Sequence, residues 1–224
     1  MYPYQDKLHP WSSHSTLSRW LKDIPAGSKV LDIGTASGAL GRLSQGMGLY
    51  LNGIEPNPEW ADIARPYYQE VFTGFLQEAP AGFIDSADVL VLADVLEHLP
   101  EPRSALRELA ERSAPGCIFM ISVPNVANLS VRLSLLFGHF DYTDRGILDR
   151  THLHFFTRAS FYQLLDEAGL KIQRSAVTPV PLNFVHPFFE QKPLGRWIHH
   201  VLAVVTPWFP TLLGYQFVVQ AVKS

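Results

Sequence analysis

The chain has 224 residues and a formal net charge of −3, and 47% of its residues are hydrophobic. That is enough apolar material for a full core, which excludes general disorder, and the small acidic balance leaves no global basic field, so no nucleic-acid partner is expected. Cys117 is the only cysteine, which excludes an intramolecular disulfide. The first residues are polar and aromatic and lack the apolar core of a signal peptide, so a cytoplasmic location is expected.

In chain order, residues 1–28 read as a lead-in with a short helix from His14 to Leu21, ended by Pro25 and Gly27. A first strand over 29–34 breaks into the small residues 34–38, and a helix is expected over 38–46. The second strand ends at Glu55, ahead of a proline turn at 56–58 and a helix over 59–68. A short third strand spans 70–74. The apolar run 87–93 fits a central parallel strand covered on both faces. A helix over 102–112 and a fifth strand over 117–123 follow, then an irregular or helical stretch over 125–142. Thr157 is a suitable N-cap for a helix over 158–168, which Gly169 ends. A sixth strand over 170–177, a Pro- and aromatic-rich insertion over 178–213 and a last strand over 215–222 complete the chain. This alternation specifies an α/β fold with a doubly wound, seven-stranded, mostly parallel sheet. The last two strands are joined by an insertion instead of a crossover, so an antiparallel last strand is expected. The chain reads as one domain: lead-in 1–28, cofactor-binding core 29–177, apolar cap 178–213 and last strand 214–224.

Ligands bind such sheets beyond the carboxyl ends of the strands, where the strand order reverses. That collects residues 34–38, Glu55, 74–77, 94–98 and 124–128 in one place. Small residues let backbone N–H groups approach a ligand, and the helix start that follows offers unpaired donors. Glu55 lies about twenty residues beyond the loop, where an acid can accept both hydroxyls of a ribose. Standing alone, it would read as a solvated strand-end carboxylate. Gly34, Ala36 and Gly38 are spaced two apart, unlike a dinucleotide loop. Asp32, inside the strand that feeds the loop, disfavours phosphates and suits an ammonium group.

At these residues the chain resembles the class I S-adenosylmethionine (SAM)-dependent methyltransferases, a Rossmann-like family. VLDIGTASG over 30–38 looks like their first motif, and GIEPN over 53–57 looks like their second. ADVLEHLP over 93–100 and THLHFFT over 151–157 are similar to segments of the branch containing ubiquinone-biosynthesis-type and small-sugar methyltransferases. The resemblance covers residues 12–177 and the last strand. It implies SAM as cofactor, held by Gly34, Thr35, Ala36, Gly38, Glu55 and Pro56. Asp32 would support the loop or face the methionine ammonium, and Asp94 and Val95 would lie beside the cofactor. The chain departs from the family after the third strand, where an acidic adenine contact is common. Phe75 or Leu76 would pack on the ring instead, or Gln77 would supply a polar contact.

The reaction implied is direct displacement at the sulfonium methyl, helped by orientation and, for a hydroxyl nucleophile, by a general base. His152 is the first candidate for the acid/base or acceptor-positioning role, with His154 and His98 behind it. Each also has an ordinary structural reading as a packed histidine. In extended chain His152 and His154 would face one side. Asp94, Glu97 and His98 with His152 or His154 are similar to the ligand set of metal-dependent small-RNA terminal methyltransferases, and such a set can hold a divalent ion. A metal-free site is the expectation.

From Trp197 to Val222 there is no charged side chain. Pro207, Pro210 and Gly214 interrupt that stretch, so a cap over the active site is expected and a membrane span is not. The cap would cover a small acceptor, lipid-like, aromatic or sugar, or would rest on a membrane surface through 179–213. Methylation of oxygen on a small molecule is the expected activity. The rivals are an NAD-linked oxidoreductase on the same type of sheet and a non-catalytic SAM-fold interaction protein.

Overall fold

The computed structural model describes residues 9–223. The lead-in helix α1 (Ser13–Leu21) is capped by the Ser12 hydroxyl, which accepts the Ser15 N–H. The strands are β1 (Lys29–Ile33), β2 (Tyr50–Glu55), β3 (Glu70–Thr73), β4 (Val89–Ala93), β5 (Ile118–Pro124), β6 (Leu170–Thr178) and β7 (Gln216–Lys223). Between them lie α2 (Ala39–Leu43), α3 (Pro58–Ala64), α4 (Ala81–Asp85), α5 (Pro102–Arg112), α6 (Leu129–Leu136) and α7 (Arg158–Glu167).

The sheet order is β3-β2-β1-β4-β5-β7-β6. As expected from the joining insertion, β7 runs antiparallel to both its neighbours, and it enters the sheet between β5 and β6. The other adjacent pairs are parallel. The order reverses between β1 and β4, which opens a crevice at their carboxyl ends. Alternate side chains along the strands build two apolar layers. Leu31, Ile33, Leu90 and Leu92 pack with Leu106 of α5 and Phe161 of α7 on one face. Val30, Val89 and Val91 pack with Leu17, Leu40 and Ala61 on the other.

Two helices are shorter than the sequence suggests. Gly38, at φ 81°, stands outside α2 as its cap, and the chain leaves that helix through a turn containing Gly46 at φ 77°. After Ala64 the chain tightens into a 3₁₀ turn over Arg65–Tyr67, because Pro66 has no N–H to continue α3. The insertion is helical: α8 (Leu182–Val185), α9 (Phe188–Gln191), α10 (Pro193–Val205) and α11 (Pro210–Leu213). Pro193 and Pro210 occupy first-turn positions, so they start helices where a proline in the interior would break one. The insertion closes on a narrow neck, where Thr178 and Gln216 are register partners and the Tyr215 N–H bonds the Thr178 carbonyl at 2.8 Å. Among the described residues no helix is long and apolar enough to cross a membrane.

Candidate active site

The loop after β1 is folded onto the ends of β2 and β4. Gly34 adopts φ 75°, and a Cβ there would sit 2.9 Å from Val95 Cγ2, so only glycine lets this loop touch the segment beyond β4. Ala36 also lies in the left-handed region, at φ 45°. Its N–H donates to Glu55 Oε2 at 2.8 Å, while the Asn57 N–H donates to Glu55 Oε1 at 2.9 Å. Glu55 is buried, which pushes its carboxyl above the ordinary range; the bonds from Asn57 and Ala36 pull it back in part. Each carboxylate oxygen keeps a second lone pair beyond the one its backbone donor uses.

Asp32 is buried beneath this loop. The Tyr68 hydroxyl donates to its Oδ2 at 2.5 Å and accepts the Gly41 N–H at 3.1 Å, tying β1 to α2. Burial raises the Asp32 carboxyl to about 7 against the opposing Tyr68 bond, with Glu55 adding to the rise. Phe75 is exposed beyond β3, its N–H bonded to Glu78 Oε2, and Leu76 is partly buried against the core. Pro56 is exposed at the end of β2, and Thr35 is buried.

The second half of the site forms beyond β4. Asp94 takes φ 58° and turns the chain into a 3₁₀ turn over Leu96–His98. Glu97, buried under this turn, accepts the backbone N–H groups of Leu153 (2.8 Å) and His154 (3.1 Å) on its carbonyl. Those two bonds, with the His152 N–H on the Asp149 carbonyl, bend residues 149–154 away from extended chain. His152 and His154 therefore do not share a side. His152 is buried at the cavity wall with Nδ1 at 3.0 Å from the Ile147 carbonyl. His154 Nε2 points to the Pro100 carbonyl at 3.0 Å, outside the cavity lining. The rings of His98 and His152 meet edge to face at 4.9 Å.

Burial pushes the His152 imidazole below its ordinary value, the Ile147 carbonyl opposes that, and His98 reinforces it. With Nδ1–H directed at Ile147, Nε2 is the lone-pair nitrogen. Among the described residues, Glu97, His98 and His152 each offer one ligand atom such that all lie within 4.8 Å of one another. Asp94 is not in that group; its oxygens accept from Ser13, Ser122 and Gln216.

Asp94, Glu97, His98 and His152 line a cavity of about 260 Å³ whose lining also includes Pro179, Pro181, Phe184 and Val185 of the 178–213 insertion. The wall also includes residues that sequence reasoning missed. Asp149 is buried; burial alone would raise its carboxyl, but bonds from the Thr151 N–H and hydroxyl outweigh that and hold it low. Its signal was present in the DRTHLH run, where it precedes His152 by three positions. Gln216, a polar residue opening an apolar strand, and His199, a buried histidine inside α10, were equally visible as polar positions in apolar runs.

Residues 10–175 match the family described as a methyltransferase domain. The chain is 29% identical over 179 residues to the ubiquinone biosynthesis O-methyltransferase of Aeromonas salmonicida, covering 73% of each chain. It is 26% identical over 170 residues to the enzyme of the same name from Thiobacillus denitrificans, covering 72% of each. Its fold is shared with the magnesium protoporphyrin IX methyltransferase of Synechocystis PCC 6803 solved with bound SAH, at TM-score 0.63 and 17% identity, over 95% of this chain and 82% of that one. The family match spans more than half of the chain and includes both the glycine loop and the histidine turn, so the chain belongs to the methyltransferase-domain family and is a SAM-dependent methyltransferase.

Proposed function

We propose that this enzyme transfers the SAM methyl group to a hydroxyl oxygen of a small, largely apolar acceptor held under the cap. The observation that carries this reading is the mixed lining of the cavity, where Asp94, Glu97, His98 and His152 share one pocket with Pro179, Pro181, Phe184 and Val185. Such a lining gives few hydrogen bonds to a sugar and a good surface for an aromatic or lipid-like body with one polar end. The relatives are named for O-methylation in ubiquinone biosynthesis, which agrees with that class of acceptor.

In this reading the loop 34–38 and Glu55 hold SAM. The free lone pairs of Glu55 meet the ribose, Pro56 closes that end, and exposed Phe75 with Leu76 offers an apolar face to the adenine. Asp94 and Val95 flank the methionine end, next to the cavity. His152 Nε2 takes the hydroxyl proton as oxygen attacks the methyl, and its lowered basicity keeps it neutral and competent at pH 7. His98 supports it edge to face, and His154 serves the turn. The test is transfer of labelled methyl from SAM to a panel of phenols, aliphatic alcohols and sugars. Labelling of phenols or long-chain alcohols is expected; labelling confined to sugars or amines overturns the reading.

A second reading has its own observation, the compact Glu97, His98 and His152 group. A buried carboxylate with two imidazoles fits a divalent ion, which would lower the pKa of a bound acceptor hydroxyl. Activity in excess EDTA separates the two: full retention leaves His152 as the base, and loss restored by a divalent metal favours the ion. The outer side of α10, with Trp197, Val201 and Val204 exposed, suits contact with a bilayer surface that delivers a lipid-like acceptor. Flotation with liposomes tests this, and absence of binding to anionic and neutral vesicles removes it. With Cys117 a lone buried thiol, nothing in this reading calls for an oxidising compartment, in keeping with action in the cytoplasm.

A further inference from the structure

Asp94 stands where the cofactor half of the site meets the acceptor half. Its left-handed backbone is one that an L side chain keeps only when its surroundings impose it. Three elements impose it. Ser122 Oγ of β5 donates to Oδ1 at 2.8 Å, Gln216 Nε2 of β7 donates to Oδ2 at 2.6 Å, and Ser13 Oγ of α1 donates to Oδ2 at 3.2 Å. Gln216 is itself fixed. Its Oε1 accepts from Thr178 Oγ1 at 3.2 Å, and its own N–H donates to that same hydroxyl at 3.1 Å. Its amide orientation follows from these partners, because the nitrogen must face the carboxylate and the oxygen the hydroxyl.

Thr178 and Gln216 are also the two sides of the neck from which the whole cap springs. On the opposite side of Asp94, Val95 lies against Gly34 of the cofactor loop. A continuous line of contacts therefore runs from cap neck to Gln216, Asp94, Val95 and the loop. Thr178 and Gln216 fall outside the 10–175 stretch that the family match covers.

We propose that Gln216 is a positioning residue that couples the cap to the cofactor loop, so that cap seating and SAM binding favour the same arrangement of Asp94. The inference rests on the reading of residues 34–38 and Glu55 as the SAM site. Coupling of this kind is reciprocal: whatever loosens the neck weakens SAM, although Thr178 is not among the cofactor residues.

The experiment is calorimetry with SAM on the wild type, Gln216→Met, Thr178→Val and the double variant, with melting temperature read in parallel. Gln216→Met is expected to raise the SAM dissociation constant about tenfold, the scale of one hydrogen bond to a charged group. Thr178→Val is expected to raise it about threefold, and the double variant should match Gln216→Met alone, since members of one network are not additive. A purely structural role would lower melting temperature with SAM affinity unchanged, or give additive losses, and either result overturns the coupling. If Gln216→Met does not fold, Thr178→Val decides: an unchanged SAM dissociation constant refutes the proposal. Failure of the wild type to bind SAM would instead overturn the site reading itself, so the two failures are distinguishable.

Discussion

At the scale of single residues, the base role proposed for His152 depends on which of its ring nitrogens is left to act. The Ile147 carbonyl takes one ring N–H, and burial lowers the basicity of the other nitrogen. His152→Gln keeps a hydrogen-bonding side chain but cannot accept a proton. Turnover is expected to fall by about 10²–10⁴-fold with SAM affinity within about twofold, which single-turnover assays and calorimetry would check. A loss confined to the acceptor KM would assign His152 to positioning instead. Ala36 offers a stability test. At φ 45° it occupies a region that costs an L-residue roughly 1–2 kcal/mol, while glycine brings an entropy penalty of roughly 0.5–1 kcal/mol. Ala36→Gly should therefore stabilise the fold by about 0.5–1 kcal/mol in urea titration. Destabilisation would mean that the Glu55 bond already relieves the strain.

At the scale of elements, the cap is fastened by two asparagines on the segment after β5. Asn125 Nδ2 donates to the Thr211 (2.9 Å) and Gly214 (2.8 Å) carbonyls, and Asn128 Nδ2 also reaches the Gly214 carbonyl at 2.8 Å. Both side chains are fully buried, so truncation leaves carbonyls without these donors. Asn125→Ala is expected to cost about 1–3 kcal/mol and to open the 206–214 segment to proteolysis; resistance equal to the wild type would show that the cap is held elsewhere. The strands of this fold were legible because each carries its own apolar run, and the antiparallel β7 followed from the missing crossover. The glycine loop was legible because its residue sizes are dictated locally. The histidine pair was not, because the bend at 149–154 is set by the Glu97 carbonyl, more than fifty positions away in sequence. The same holds for Asp94, whose conformation is fixed by Ser13, Ser122 and Gln216, side chains that only the assembled sheet brings together.

At the scale of the whole molecule, two buried groups, Asp32 in β1 and His199 in α10, give opposing pH dependence. Burial, the largest cause, raises the Asp32 carboxyl from an ordinary 3.8 to about 7 in the folded chain. The folded state therefore holds that proton more tightly than the unfolded chain. Its contribution is fully present below the unfolded value and is lost as pH rises toward about 7, by up to about 1.4 kcal/mol per pH unit. His199, packed against His9 and Trp11 and bonded to the Val180 backbone, is lowered from 6.5 to about 4, chiefly by burial. The folded state holds that proton less tightly, so stability is full above 6.5 and is lost as pH falls toward about 4. Between about 4 and 6.5 the two slopes have opposite sign and offset one another. Single variants should unmask them. Relative to the wild type, Asp32→Asn should become steadily more stable as pH is raised from 4 to 7, because its amide has no proton to lose and still accepts from Tyr68. His199→Phe should gain relative stability as pH is lowered from 6.5 to 4, since no imidazole remains to be charged on unfolding. Urea midpoints of the three proteins at half-unit pH steps measure both slopes. Parallel curves for Asp32→Asn and the wild type would show that Asp32 is ionised in the folded chain throughout, and that the loop rests on a buried carboxylate instead of a shared proton.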